Sequence, residues 1–456
     1  MFFHNTLTRS PQEFKPMHRG RINLFVCGPT VQDHFHIGHA RTYIFFDAVA
    51  KFLRKTGYSV FYLQNITDID DKIINRAKEE KSDPLELAES YLEEYYREMK
   101  ELKVDSINFY ARATLHIDEI VSQIERLVSA GLAYETEDGV YFEVRKFKDY
   151  GELSGQNLDQ IKHGVRTDIS ESKRNPEDFV VWKKMKPGEP FWDSPWGKGR
   201  PGWHVEDTAI TESYFGEEYD IHGAGSDLIF PHHEAENAIA RSLSGKKHLA
   251  RYWIHTGMLN VNSEKMSKSL KNFRTISEIL ENYSPEVLRY AMLNANYRTM
   301  LDFSEEMMES SRENVGYITK VYKRLKKVKG KEGKFKIDLK SELSTLTKAM
   351  EADFDTRGVI MRLLEICSDI NRNIESISSE SADSIIELLD WANSFLGIVE
   401  SGEQPLGYGL ISSILEIRKD LRKKKEFDLS DRIRAELKAY GIYIEDVNGG
   451  TEWWFE

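Results

Sequence analysis

Four groups of residues in this sequence have types and spacings that suit chemistry. His36 and His39 lie three apart around Gly38 in HIGHA. Residues three apart at a helix start share one face. That end of a helix offers unpaired N–H groups and the positive end of the dipole to an anion, while Gly38 lets a ligand approach the backbone. The pattern suits a polyphosphate, and equally a helix with two surface histidines. Lys265 and Lys268 lie three apart in KMSKS, about 230 residues further on. Ammonium groups on a loop that closes can stabilise charge that develops on a leaving phosphate; most lysine pairs only solvate a surface. His232 and Glu236, in PHHEAENAIA, are four apart behind Pro231, a favoured first helical residue. That spacing lets an imidazole and a carboxylate reach one ion, or leaves them a solvated pair. Asp207, in RPGWHVEDTAI, is a further candidate ligand. Cys27 ends an apolar run one turn before HIGHA, where a lone cysteine is ordinarily a small buried apolar residue.

The elements that must carry these residues follow from pattern. RINLFVCGPT reads as a strand ending in a Gly-Pro turn, and HIGHARTYIFFDAVAKFLRKTGY as a helix stopped at Gly57. SVFYLQNIT is a second strand, so the chain opens as a βαβ unit with a parallel sheet. Residues ~82–135 read as helical and highly charged. Residues ~140–200, rich in Gly, Pro and Trp, read as an insertion in that sheet, and EYDIHGAGSDLIFPHHEAENAIARSL returns to strand, turn and helix. From ~275 the pattern is helical. Val315, Ile318, Tyr322, Leu325 and Val328 make one apolar stripe; Ile360, Leu363, Leu364, Cys367, Ile370 and Ile374 make another, in which Cys367 is structural. The end reads as a capped helix stopped at Gly441, then a short strand and a turn.

Taken together, HIGHA and KMSKS resemble the paired motifs of class I aminoacyl-tRNA synthetases, in the expected order. NTLTR, FVCGPTVQDHFHIGHAR, NITDIDDKIINRA, KRNPEDFVVWK, SPWGKGRPGWHVE, DIHGAGSDLIFPHHEAE and KMSKSLKNF extend the resemblance to the cysteinyl-tRNA synthetase family over nearly the whole chain. The resemblance implies an α/β fold with a Rossmann-type catalytic domain over 1–118 and 200–255. It implies an inserted segment over 119–199, a KMSKS-bearing stem-contact region over 256–305, a helical bundle over 306–403, and a small α+β anticodon-binding domain over 404–456. It implies ATP-dependent activation of L-cysteine with Mg2+, then transfer to the 3′ end of tRNA(Cys). His36, His39, Lys265 and Lys268 are the expected catalytic residues. Thr30, Gly38 and Asp227 join His36, His39 and Lys268 at the nucleotide, with Asp227 on either the ribose or the substrate ammonium. Thr67, Trp203 and His222 are expected to line the cysteine pocket, although Trp203 also suits core packing.

The family holds one zinc with two cysteines, a histidine and a glutamate, and binds the substrate thiol on it. This chain departs from that pattern, with Asp207 in place of the second cysteine. Aspartate is a zinc ligand of the same charge as a thiolate, so Cys27, Asp207, His232 and Glu236 are the expected set. The alternatives are three ligands with Asp207 behind them, or no metal. A soft cation explains selectivity well: packing separates near-isosteres by only ~1–3 kcal/mol, whereas zinc prefers sulfur to a hydroxyl. DIDD (68–71) suggests a cation site or simply a strand end followed by a helix start. Lys271 stands where the family often has glycine, and the sequence gives no account of it.

Composition bounds the rest. With 456 residues, 40% apolar and 30% charged, the chain is of ordinary globular type with two to four domains. No apolar run reaches the ~18 residues that span a membrane. MFFHNTLTRS lacks a basic flank and long apolar core, so no secretory leader is expected. Two cysteines are too few for a disulfide framework and fit a reducing cytoplasm. The net charge of −12 requires tRNA contacts to be local. The basic runs at 323–336 and 418–426 suit phosphates or solvent, and Trp453 suits an anticodon base or packing. A monomer is expected. Two rival functions remain: a paralogue that joins activated cysteine to a small amine, and a non-catalytic RNA-binding relative.

Overall fold

The chain begins with a hairpin, β1 (Phe2–Asn5) against β2 (Ser10–Glu13), and then enters the central sheet at β3 (Arg21–Val26). Ile22, Leu24, Phe25 and Val26 are fully buried, as a strand covered on both faces requires. The computed structural model describes residues 1–157, 172–266, 272–328, 333–400, 408–424, 426–439, 442–447 and 450–455. They form two compact units, Met1–Val399 and Glu400–Glu456.

Helix α1 (Ile37–Lys55) leads from β3 to β4 (Ser59–Ile66), and Gly57, at φ +99°, makes the turn between them. Helices α2 (Asp71–Glu80) and α3 (Pro84–Glu101) precede β5 (Phe109–Arg112), and α4 (Ile117–Ser129) follows it. The inserted sheet is antiparallel in chain order: β6 (Ala133–Glu135), β7 (Gly139–Phe142), β8 (Phe179–Lys184) and β9 (Gly199–Pro201). Next come α5 (Trp203–Phe215), β10 (Tyr219–Gly225), α6 (Glu234–Ser244) and β11 (Ala250–Thr256). The central sheet runs β11-β10-β3-β4-β5, with every pair parallel. Connections leave β3 toward β4 on one side, while β10 leads to β11 on the other. The carboxyl ends of β3 and β10 therefore flank a topological switch point, where ligands of open α/β sheets bind.

A second small sheet, β12 (Leu259–Val261), β13 (Glu264–Lys265) and β14 (Leu301–Phe303), holds Lys265, the first residue of KMSKS, on its edge strand. Around it lie α7 (Ile276–Leu280), α8 (Pro285–Leu293), α9 (Glu305–Leu325), α10 (Leu339–Glu351), α11 (Thr356–Asn373) and α12 (Ser379–Leu396). Both apolar stripes face inward; Val315, Ile318, Tyr322, Ile360, Leu363 and Cys367 are buried. A buried ion pair ties this helical part to α1. Asp47 Oδ2 accepts from Arg289 Nη2 at 2.8 Å, and the same guanidinium donates to the carbonyls of Leu102, Phe395 and Leu396. The C-terminal unit comprises α13 (Tyr408–Lys423), α14 (Phe427–Ala439) and the hairpin β15 (Ile442–Val447) with β16 (Gly450–Phe455), around Leu437, Ile442 and Ile444.

Some strands escaped the sequence pattern. β5 and β6 lie within the stretch read as helical, β14 within the later helical region, and β16 pairs with β15 where only a turn was expected. β5, β6 and β14 have three or four residues, too short for alternation to outweigh the charged context. No helix among the described residues is long and apolar enough to cross a membrane.

Candidate active site

The Gly28-Pro29 turn exists because β3 and β4 end side by side. A Cβ at Gly28 would sit 1.7 Å from the Asn65 carbonyl oxygen, and the Gly28 N–H donates to Asn65 Oδ1 at 2.5 Å. Beyond the turn opens a crevice of about 600 Å³ at the ends of β3 and β10. Cys27, Thr30, His36, Gly38, His39, Trp203 and Asp227 all line it, together with Lys72, Met258, Met266 and Phe273. Lys265 ends β13, and Met266 brings that strand to the crevice. Lys268 and Lys271 lie outside the described residues.

The two motif histidines cap α1 reciprocally. The Gly38 N–H donates to His36 Nδ1 (3.1 Å), and the His36 N–H donates to His39 Nδ1 (3.3 Å). Their rings stack at 3.8 Å. With each Nδ1 accepting, the ring proton open to a ligand sits on Nε2. Burial, reinforced by the charges of His36 and Lys72, holds His39 well below its ordinary value, so it stays a neutral donor. Gly38 is needed mainly by this cap: a Cβ there would lie 2.9 Å from the His36 ring. Arg41, one turn on, is buried without a carboxylate. It donates to the carbonyls of Met258 (2.8 Å), Asn296, Tyr297 and Thr299, which pins the KMSKS-bearing sheet to α1. Burial lowers it to about 10.

Beneath the crevice, α5, α6 and the end of β3 bring two carboxylates and a thiol to one nitrogen. His232 Nε2 lies 2.8 Å from Glu236 Oε1, 3.2 Å from Asp207 Oδ2 and 3.7 Å from Cys27 Sγ, and Cys27 Sγ is 3.5 Å from Asp207 Oδ2. All four residues are buried. Cys27 Sγ donates to Asp207 Oδ2, and Nε2 carries at most one proton for the two carboxylates; Asp207 Oδ1 and Glu236 Oε2 receive no hydrogen bond, and Glu236 Oε1 has only the His232 ring beside it. Burial alone would lower His232, but Glu236 and Asp207 raise it to about 9. Burial, with Asp207 and Glu236 beside it, pushes the Cys27 thiol well up. Buried acceptors without donors, gathered within ligand distance, are the environment a divalent cation completes. The donor set of one thiol, one imidazole and two carboxylates fits zinc. Pro231 follows the extended Phe230 (φ −133°, ψ 133°) and leads through His233 into α6, which sets His232 and Glu236 on one side.

The other expected residues lie around this cluster. Trp203 is half-buried on the crevice wall, its ring stacked on His232 at 4.0 Å and 8°. His222 is wholly buried behind Glu236; its Nδ1 meets the Tyr219 hydroxyl at 2.7 Å and its Nε2 lies 3.6 Å from Glu236 Oε2. Thr67 is buried too and donates to Glu206 Oε1 at 2.7 Å. Neither Thr67 nor His222 lines the crevice.

The DIDD segment is structural. Asp68 binds Arg112 and Thr114, and Asp70 caps α2. Asp71 is clasped by Lys183 of β8 and Arg200 of β9, which overcome its burial and hold its carboxyl at about 2.

Sequence reasoning missed His204, His233, His255, Glu206 and Lys72. His204 Nδ1 faces His232 Nδ1 at 2.9 Å, and burial keeps His204 well below its ordinary value. It therefore stays neutral and can accept the His232 Nδ1 proton, which leaves Nε2 free to ligate. The i, i+3 spacing of His204 and Asp207 on α5 was the available signal. His233 and His255 pair at 2.9 Å across α6 and β11, with no local signal.

The family described as tRNA synthetases class I (C) catalytic domain matches residues 13–313. The chain is 63% identical to the cysteine–tRNA ligase of Thermoplasma volcanium over 456 residues, covering all of both chains. It is 60% identical to that of Thermoplasma acidophilum, again over both whole chains. To that of Thermococcus gammatolerans it is 45% identical over 99% of this chain and 98% of the other. Among solved structures, the fold is similar to Mycobacterium tuberculosis methionyl-tRNA synthetase in complex with methionyl-adenylate, with TM-score 0.59, 16% identity, and 83% and 90% of the two chains covered. It is also similar to a LeuRS–tRNA–LeuAMS ternary complex of Agrobacterium radiobacter K84, with TM-score 0.62, 11% identity and 85% of each chain covered.

Proposed function

The chain belongs to the cysteine–tRNA ligase family of class I aminoacyl-tRNA synthetases, and from that premise we propose how its crevice performs the family's reaction. L-Cysteine and ATP give cysteinyl-adenylate and pyrophosphate, and the cysteinyl group passes to the 3′ end of tRNA(Cys). The observation that carries the reading is the buried convergence of Cys27, Asp207, His232 and Glu236 directly under a nucleotide-sized crevice.

These four residues would hold one zinc, which when bound supplies a soft Lewis acid that selects a thiolate over the hydroxyl of serine and lowers the thiol's pKa. His204 fixes the His232 tautomer, and Trp203 supports the ring from the crevice side. His36 and His39 donate from Nε2 to the ATP phosphates, which enter with Mg2+ past Thr30 and Gly38. Asp227 offers a carboxylate to the ribose or to the substrate ammonium. Lys265 and Lys268 close on the departing pyrophosphate, whose charge appears only as the bond breaks. Thr67 and His222 act from behind the pocket, bracing the donors rather than touching cysteine. The insertion over 119–199 and the 256–305 region serve the acceptor end of the tRNA, the bundle over 306–403 supports them, and the 404–456 domain with Trp453 reads the anticodon. The enzyme works as a cytoplasmic monomer.

The test is ATP–pyrophosphate exchange with cysteine or serine, followed by transfer to tRNA(Cys) transcript. Cysteine should support both and serine neither. Exchange without transfer would favour the small-amine paralogue; binding of tRNA without exchange would favour a non-catalytic relative. Cys27→Ala should lose zinc by metal analysis, and full retention of zinc would refute the ligand set.

A further inference from the structure

Resting on that ligase reading, we propose that Lys72 is a catalytic residue, whose ammonium holds the cysteine carboxylate against the α-phosphate of ATP during adenylate formation. Lys72 is the only lysine or arginine among the described residues lining the crevice; Asp33, Asp227 and the histidines supply its other ionisable groups apart from Cys27 and Tyr43. Its Nζ stands over the Trp203 ring, 5.7 Å from the centroid. That ring is stacked on His232, in the thiol-side cluster. It lines the same crevice as His36 and His39, and its charge contributes to the depression of His39. The ammonium thus shares one crevice with the thiol-side cluster and the motif histidines.

The backbone under Lys72 is fixed for this. Its N–H donates to Asp70 Oδ1 at 3.0 Å, and the preceding residue, Asp71, is clasped by Lys183 and Arg200. Three aspartates of DIDD anchor the start of α2, and the next side chain points into the crevice. The reaction brings a carboxylate oxygen onto the α-phosphorus while the bond to the bridging oxygen breaks and its electron pair leaves with pyrophosphate. Two anions must meet, and no proton moves. A fixed ammonium at the junction offsets their repulsion and follows the charge into the transition state. Lys72 keeps its proton throughout.

The test uses zinc-replete full-length Lys72→Met and Lys72→Arg with cysteine-dependent ATP–pyrophosphate exchange. Cysteamine, which has the thiol and the amine but no carboxylate, serves as a competitive inhibitor. Lys72→Met should lower kcat/KM for exchange by ~10²–10³-fold, as loss of one transition-state donor does, and Lys72→Arg should recover part of it. Cysteamine inhibition, zinc content and melting temperature should stay at wild-type values. Wild-type exchange in Lys72→Met overturns the inference, and so does a loss matched by equal loss of cysteamine binding or zinc, which would make Lys72 a support for Trp203. If the wild-type chain shows no cysteine-dependent exchange, the ligase reading falls and takes this inference with it. An active wild type indifferent to Lys72→Met refutes the inference alone.

Discussion

Returning zinc to chelator-stripped protein at pH 7 should release about two to three protons per site, because a metal displaces the protons its ligands hold. The count comes from the metal-free cluster. Burial and the acids beside it keep the Cys27 thiol protonated at neutral pH. His232 is held as imidazolium: burial opposes the charge, but Glu236 and Asp207 outweigh it and set its value at about 9. Burial lifts Glu236 to about 7 against the pull of His232, so it holds about half a proton there. A thiol, imidazole and carboxylate of ordinary acidity would release little more than ~1. Protons and zinc compete for the same atoms, so apparent affinity rises with pH, by roughly 10²–10³-fold per pH unit near neutrality, and is lost as pH falls. Titration calorimetry in two buffers of different ionisation enthalpy gives the proton number from the slope of observed heat. Asp207→Cys, which places a second thiol in the cluster, should raise the count by about one. A wild-type count of one or fewer, or no change in Asp207→Cys, would refute the convergence of these four side chains on one ion.

Three further outcomes can be measured. His204→Ala removes the group facing His232 Nδ1 at 2.9 Å and should weaken zinc binding ~10–100-fold in a chelator competition; unchanged affinity would deny His204 its role in setting the tautomer. Asp47→Ala leaves the fully buried Arg289 guanidinium with carbonyls only and should cost about 3–5 kcal/mol in denaturant unfolding; a loss of a few tenths would mean that the carbonyls suffice. Glu98 is buried beneath α7, accepts from Ser277 Oγ at 2.6 Å, and is lifted by burial from 4.5 to about 7. The folded chain keeps a proton there that the unfolded chain gives up, so this contribution to stability is full below pH ~4.5 and declines by roughly 3 kcal/mol as pH rises toward 7. Glu98→Gln should flatten that slope in unfolding curves taken between pH 4.5 and 7, and an unaltered slope would assign the pH dependence elsewhere.

The legible part of the site is the part in which chemistry and local structure share one stretch of chain. HIGHA lies directly on a strand–turn–helix junction, so its pattern exposed both the element and residues that line the crevice. His232 and Glu236 were legible as an i, i+4 pair, but their union with Cys27 and Asp207 was legible only through resemblance, because 180 residues separate Cys27 from Asp207 and no local period links them. What stayed hidden needs tertiary contact to exist. His204 acts through a ring 28 positions away, and Asp71 through strands of the insertion more than 110 positions away. DIDD stayed open between a cation site and a strand end before a helix because four letters cannot show that its three carboxylates already have partners. Gly38 was read as room for a ligand, whereas the contact a Cβ would make is with His36 itself.

Aspartate at 207 also changes what the metal does for the fold. A thiolate brings one donor atom, whereas a carboxylate brings two, and here Oδ2 faces Cys27 and His232 while Oδ1 is buried with no partner. An unsatisfied buried acceptor costs about 1–3 kcal/mol, and Glu236 Oε2 shares that condition. A cation in the cluster would remove these penalties together, so zinc binding and folding are linked more tightly than charge conservation at this position implies. Binding to the native state alone stabilises it by an amount that grows with free metal. The same acceptors that demand a cation also explain why the metal-free cluster gathers protons: His232, Cys27 and Glu236 hold them because burial disfavours bare negative charge beside Asp207. With zinc held as proposed, selectivity for sulfur and stability of the crevice floor would depend on one occupancy, and growth conditions that starve the protein of zinc would weaken both at once.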